Sequence, residues 1–203
     1  AADRESTAAD RGRGAADRVA HLEWPEMGTV ARVSARGASR DGRWAYREEA
    51  GRVYAALSRL LNAWDPESEL SRLATTNAWE RAVSADVRDC YRRAFELAAS
   101  TGDAFNPMLA ERLRRLGRTR RSALVDLGGI AKGFAVDRAH AALVRFDPDG
   151  DFLLDLGGNL RCSRGPWRTG VRDPFGDGLC ATFDLRAGEA AATSATYARG
   201  KHV

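Results

Sequence analysis

The run Asp126-Leu127-Gly128-Gly129-Ile130-Ala131-Lys132-Gly133-Phe134-Ala135-Val136-Asp137 joins paired glycines to a lysine and two flanking carboxylates. Glycines admit a ligand close to the backbone, and a helix start favours anions, so the chemistry on offer is the holding of a phosphate-bearing molecule. Lys132 stands out because the only other lysine among 32 basic residues is Lys201. A compact ammonium differs in use from a planar guanidinium fork, so lysine here points to a charge-compensating role. A plain surface lysine at a helix start is the competing reading. The spacing is not G-x-G-x-x-G, and no Ser or Thr follows the lysine as in a P-loop, so generic nucleotide motifs are excluded.

The elements that must position this run are legible around it. Ala123, Leu124 and Val125 form a short apolar segment predicted to be a buried strand. Ala131, Phe134, Ala135, Ala139, Ala142, Leu143 and Phe146 fall near one face of a predicted helix. The pattern from Ala123 to Gly129 recurs from Phe152 to Gly158, which predicts a strand-helix-strand unit with a Gly-Gly bend at each strand end.

Residues Ala1 to about Arg18 read as a mobile or loosely helical leader, and the domain division is a leader over 1–20 and a domain over 21–203. Alternation from Met27 to Ala35 predicts a strand. Ala38 to Gly42 reads as a turn, and a long helix is expected from about Arg43 to Asn62, with Ala50, Val53, Tyr54, Leu57, Leu60, Leu61 and Trp64 as its stripe. A loop runs from Trp64 to Leu73. Ser84 is a predicted N-cap for a helix that turns Val87, Cys90, Tyr91, Ala94 and Ala98 inward and ends near Thr101-Gly102. Ala104 to Pro107 is a turn leading into a short helix through Leu116. Arg118 to Arg121 reads as a solvated connection. Short strands are predicted at Arg168–Val171, Leu179–Leu185 and Ala190–Thr193, so the fold class is α+β, a single mixed α/β domain.

Length and composition agree with one domain. The chain has 203 residues, 44% hydrophobic and 30% charged, with a net charge of +4. The pI near 9.3 fits a phosphate-rich ligand, while the absence of a nucleic-acid motif or an aromatic-basic ladder argues against nucleic acid. Cys90, Cys162 and Cys180 show no C-x-x-C pairing and read as three buried thiols, with one disulfide as the alternative. No run is apolar enough for a membrane span. No signal peptide is visible, and the compartment stays open.

The run from Asp126 to Asp137 resembles the signature of the ApbE family, the Mg-dependent FAD:protein FMN transferases, whose pattern is close to D-L-G-G-I-A-K-G-Y-A-V-D; Phe134 stands for the usual Tyr. The resemblance extends from Met27 to Val203. Met27-Gly28-Thr29 is similar to the family's M-G-T, and Ala104-Phe105-Asn106-Pro107 to its A-F-D-P. Gly157-Gly158-Asn159 matches its second glycine pair, and Trp167 to Pro174 its W-x-x-G-I-x-D-P. Thr193-Ser194 is similar to T-S-G, with Ala195 in place of Gly. His202-Val203 opens H-I-x-D-P-x-T-G, so the resemblance implies a domain truncated at its C-terminus.

The resemblance implies an ApbE (T-fold-like) domain with an FAD cleft lined by Met27, Trp64, Ala104, Phe105, Asn106, Asp126, Lys132 and Val203. From the residues alone, Trp64 reads either as a face for a flat ring or as the packed end of its apolar stripe. Asn106 removes a charge from the family's turn. The implied reaction joins FMN through a phosphoester to a Thr or Ser of an acceptor redox protein, with AMP as leaving group. His202 is implied as the base, and Gly129 as a backbone ligand to Mg²⁺ whose side-chain ligands fall after Val203. His21 and His140 match nothing in the family and read as leader and helix-surface residues. The alternatives are a Mg-dependent FAD pyrophosphatase, an FAD-binding or storage module without catalysis, and a degenerate structural domain.

Overall fold

The structure, a computed structural model, describes residues 4–7, 19–73, 83–117 and 123–194. The chain divides into two compact units, one made of Ala1–Val53 and Val136–Val203, the other of Tyr54–Ala135.

The first unit is built on an antiparallel sheet of order β1-β2-β3-β4-β5-β8. Its strands are β1 (Arg4–Thr7), β2 (Val19–Glu26), β3 (Thr29–Arg36), β4 (Phe152–Leu156), β5 (Asn159–Cys162) and β8 (Ala190–Ala192). Ala20, Leu22 and Trp24 of β2 are buried, as are Ala31, Val33 and Ala35 of β3 and Phe152, Leu154 and Leu156 of β4. The registers Leu22↔Val33 and Val33↔Leu154 put these three sets on one face. Period-two alternation therefore makes a continuous apolar surface, worth about 1.5–3 kcal/mol for each large side chain buried.

Helix α1 (Arg40–Leu60) and helix α5 (Gly128–Phe146) bring residues of the first unit onto Phe152 of that face. The Tyr46 ring lies 5.4 Å from Phe152, and the His140 ring 5.8 Å. The Tyr46 hydroxyl donates to Asp147. Arg161 of β5 pairs with Asp137 at 2.5 Å.

The opposite face carries a second, two-stranded sheet, β6 (Trp167–Arg172) with β7 (Leu179–Leu185). Its base is a small core of Cys162, Trp167 and Leu185, packed with Val19, Leu153, Leu160 and Phe183. Asp151 fixes its entry, accepting from Trp167 Nε1 at 2.8 Å and from Arg36 at 2.6 Å, while the Arg36 guanidinium stacks 4.4 Å from the Trp167 ring.

The second unit is helical. It holds the last residues of α1, then α2 (Glu69–Leu73), α3 (Ala85–Ser100), α4 (Leu109–Arg115) and the first two turns of α5. Ser84 caps α3, its Oγ accepting from Val87 N, and Val87, Cys90, Ala94 and Ala98 are buried as their spacing predicts; Tyr91 is half-buried. The predicted inward face of α5 is likewise buried from Ala131 to Leu143, whereas Phe146 is 55% exposed.

Several expectations are corrected. Arg4–Thr7 pairs with β2, and Val19 and Ala20 begin that strand, so these residues are extended rather than helical, while the rest of the expected leader lies outside the described residues. The chain turns at Met27 and Gly28, with φ of 45° and 69°, so β3 starts at Thr29. Helix α1 starts at Arg40, earlier than its apolar stripe implies. His140 is half-buried rather than fully on the surface, and its Nε2 lies 3.1 Å from the Cys162 carbonyl. His21 sits in β2, with Nδ1 2.7 Å from Ser34 Oγ. Cys90 and Cys162 are buried, Cys180 is exposed rather than buried, and none of the three is in a disulfide.

The largest correction concerns the repeated glycine pairs. Gly157 and Gly158 take φ of 59° and 85° and make the two-residue turn between β4 and β5, a conformation that favours glycine. Ala123–Val125 is buried at both ends but forms no strand, and Gly128 and Gly129 open helix α5 instead of bending the chain.

Candidate functional site

Within Tyr54–Ala135, two loops converge on the segment from Ala123 to Gly129. The Ala123 amide donates to the Ala63 carbonyl at 3.3 Å, tying the segment to the loop that carries Trp64. Three residues later the Asp126 amide donates to the Pro107 carbonyl at 2.8 Å, tying it to the Ala104–Pro107 turn. One bond to each of two loops replaces the ladder a strand would have made, which is why this apolar run is buried without being a strand.

Asp126 then starts the helix. Its Oδ1 accepts from Gly128 N at 2.9 Å, and the Leu127 carbonyl accepts from Ala131 N at 2.8 Å. The side-chain oxygen satisfies an amide that the helix leaves unpartnered. Gly128 and Gly129 are exposed at the N-terminus of a 19-residue helix whose first turn holds no acidic residue. A helix end of this length presents partial positive charge to a bound anion. Lys132 follows one turn later and is half-buried.

The paired glycines have packing reasons as well. A Cβ on Gly129 would approach Phe105 Cε2 to 2.8 Å, and one on Gly128 would approach Asp126 Oδ1 to 2.9 Å. Phe105 thus lies against the helix start, and its own turn is fixed from both sides. Phe105 N donates to Thr101 Oγ1 at 3.3 Å, and Asn106 Oδ1 accepts from Met108 N at 2.8 Å. Asn106 keeps the acceptor oxygen that an aspartate would supply to this turn, without its charge. Asp103, with φ of 64°, sets the chain direction into the turn. Ala104 and Asn106 are exposed.

Trp64 is 60% exposed, so it is not the packed end of the α1 stripe. Its amide donates to Asn62 Oδ1 at 3.0 Å. The buried Ser68 and Ser71 hold the same loop through the Asn62 carbonyl, at 2.7 and 3.4 Å. Sequence reasoning passed over both serines; S-x-x-S next to a proline-containing loop was the available sign of a capped turn.

Of the predicted site residues, Trp64, Ala104, Phe105, Asn106, Asp126, Gly129 and Lys132 all belong to this unit, carried by loops bonded to one segment or by the start of α5. Met27 belongs to the first unit, at the tip of the β2–β3 turn, where its amide donates to Glu26 Oε1 at 3.1 Å. His202 and Val203 lie outside the described residues. Among the described residues no group of three or more His, Cys, Asp or Glu is placed to hold a metal ion, and Gly129 offers a backbone carbonyl alone.

Comparisons with known proteins follow the same lines. Over 80 residues the chain is 42% identical to an FAD:protein FMN transferase of Rhodobacter capsulatus, a stretch covering 37% of this chain and 15% of that protein. Over 76 residues it is 38% identical to an FAD:protein FMN transferase of Klebsiella pneumoniae (strain 342), covering 37% and 23%. The matched stretches therefore span less than a quarter of these curated relatives. The fold is similar to that of the ApbE protein from Thermotoga maritima, with a TM-score of 0.75 at 23% identity over 87% of this chain and 70% of that one. It is also similar to the flavin transferase ApbE from Vibrio cholerae, with a TM-score of 0.69 at 21% identity over 89% and 72%. The sequence model of the ApbE family matches residues 27–122 and 111–202, and with the α+β fold agreeing, the chain belongs to the ApbE family.

Proposed function

We propose that this chain is the FAD-binding part of an FAD:protein FMN transferase. The observation that carries the reading is that an exposed tryptophan, a fixed Phe105 turn and the Asp126-capped start of α5, with Lys132 one turn on, belong to one unit and are tied to the segment from Ala123 to Gly129. In this reading Trp64 offers a flat face to the isoalloxazine ring. Backbone groups of Ala104, Phe105 and Asn106 read its polar edge. The α5 N-terminus and Lys132 offset the diphosphate charge, and Asp126 fixes that helix start. The family resemblance adds Met27 and Val203 as flavin contacts and His202 as the base; the reading stands on Tyr54–Ala135 without them.

The reaction proposed is attack of an acceptor Thr or Ser hydroxyl on the FMN phosphorus. The new P–O bond forms as the bond to AMP breaks, and the hydroxyl proton passes to His202. The acceptor is a redox protein that becomes flavinylated. Mg²⁺ dependence is proposed for the whole protein. Of the metal ligands the resemblance implies, Gly129 alone lies among the described residues, and it would offer its backbone carbonyl.

Incubation of the protein with FAD, Mg²⁺ and an acceptor domain tests this. Protein-linked FMN, with AMP released in equal amount, is the expected result. FMN appearing only in solution would make the protein a pyrophosphatase, and binding without AMP release would make it a storage module.

A further inference from the structure

We propose that Ser68 is the positioning residue for Trp64, its hydroxyl holding the loop in the shape that presents the indole. An indole left in water forgoes the gain of burial, so its exposure at the end of an apolar stripe calls for a loop that enforces it. Ser68 is 3% exposed, yet its hydroxyl reaches six residues back to the main chain, donating to the Asn62 carbonyl at 2.7 Å. The same oxygen accepts from Ser71 N at 3.1 Å. Asn62 in turn holds the Trp64 amide through Oδ1 at 3.0 Å, and the Asp65 amide reaches the Asn62 carbonyl at 3.3 Å. Ser68 therefore closes a ring of hydrogen bonds around residues 62 to 68, within which Trp64 stays 60% exposed.

Capping of α2 would account for the bond from Ser71 N alone. Donation to the Asn62 carbonyl plays no part in capping, and at 2.7 Å against 3.4 Å from Ser71 Oγ it is the shorter of the two serine bonds that hold the tryptophan loop. Glycine retains most of the capping preference and loses that donor, so Ser68→Gly separates the two roles.

As regards the ligand, this inference rests on the flavin reading above; as regards Trp64 itself, it does not. The test uses the whole chain labelled with 5-fluorotryptophan, the Trp64 resonance being assigned with Trp64→Phe, together with FAD titration by flavin fluorescence. Ser68→Ala and Ser68→Gly should each shift or broaden the Trp64 resonance and weaken FAD binding about tenfold, and Ser68→Thr should restore both. In a Trp64→Ala background, Ser68→Ala should change affinity by less than about twofold. An unmoved Trp64 resonance in both variants, or an equal affinity loss without Trp64, overturns the proposal. Should wild type fail to bind FAD, the flavin reading falls, and the resonance alone decides the role of Ser68.

Discussion

The Phe105 ring occupies the space that a side chain on Gly129 would need: a Cβ there would lie 2.8 Å from Cε2 and 3.4 Å from Cδ2. The glycine is thus part of a fitted contact between the Ala104–Pro107 turn and the start of α5. Gly129→Ala should push the ring aside and cost about 1–3 kcal/mol, as overpacking does, with FAD binding weakened as the turn shifts. Phe105→Ala combined with Gly129→Ala should regain part of the stability lost by Gly129→Ala alone, because the clash has gone. Chemical denaturation of the two single variants and the double variant checks this; strict additivity would refute the contact.

Trp64 gives the opposite expectation. Because it is 60% exposed, Trp64→Ala should change stability by no more than about 0.5 kcal/mol. If the indole faces flavin, the same change should weaken FAD binding about tenfold, since an aromatic contact is worth about 0.5–1.5 kcal/mol beyond burial. A thermal melt beside a fluorescence titration separates the two effects.

In the proposed reading Lys132 compensates charge at the helix start. Lys132→Ala should lower FAD affinity about tenfold or more, and less so in high salt, since screening weakens what remains to be lost. Lys132→Arg should recover only part of it, because a planar fork does not replace a compact ammonium. Riboflavin, which lacks phosphate, should bind wild type and Lys132→Ala alike.

The first unit should lose stability as pH falls through the histidine range. Burial first, then Arg32, lowers the pKa of His21 below its ordinary value of 6.5; burial first, then Arg161, does the same for His140. Above that value both states are neutral and the shifts cost nothing. Below it the unfolded chain takes up protons that the fold resists, so stability drops until the lowered folded values are reached. Asp155 acts in the other direction: burial raises its carboxyl above 3.8, penalising the fold at neutral pH and relieving it as pH falls through the raised value. Melting temperature should therefore fall between about pH 7.5 and 5.5, and His21→Gln with His140→Gln should flatten the slope. Asp155→Asn should stabilise the chain at neutral pH.

How far the sequence foretold this arrangement depends on the range of the interactions involved. Helices α3 and α5 were legible because period and caps are local: Ser84 caps α3, and Ala131 to Leu143 mark the buried face of α5. Strand β2 was hidden, although Ala20, Leu22 and Trp24 alternate and its partner β3 follows directly after the Met27-Gly28 turn, because a leader-like composition precedes it and Pro25 interrupts its end. The two glycine pairs look alike in sequence and differ in structure. Gly157 has Thr29 Oγ1 within 2.6 Å of a would-be Cβ, on a neighbouring strand, while Gly129 meets Phe105. What decides each is a residue distant in sequence. The same holds for the segment from Ala123 to Asp126, whose single amide bonds, Ala123 to Ala63 and Asp126 to Pro107, no periodicity could reveal.

The central claim is that the loops meeting at Ala123–Gly129 bind a flavin dinucleotide through its diphosphate. Titration of the wild-type chain with FAD and with riboflavin, followed by flavin fluorescence, tests it most directly. Quenching of FAD with an affinity at least about tenfold above that of riboflavin is the result predicted from a charge-compensated diphosphate. Equal affinity for the two, or no quenching by either, would contradict it.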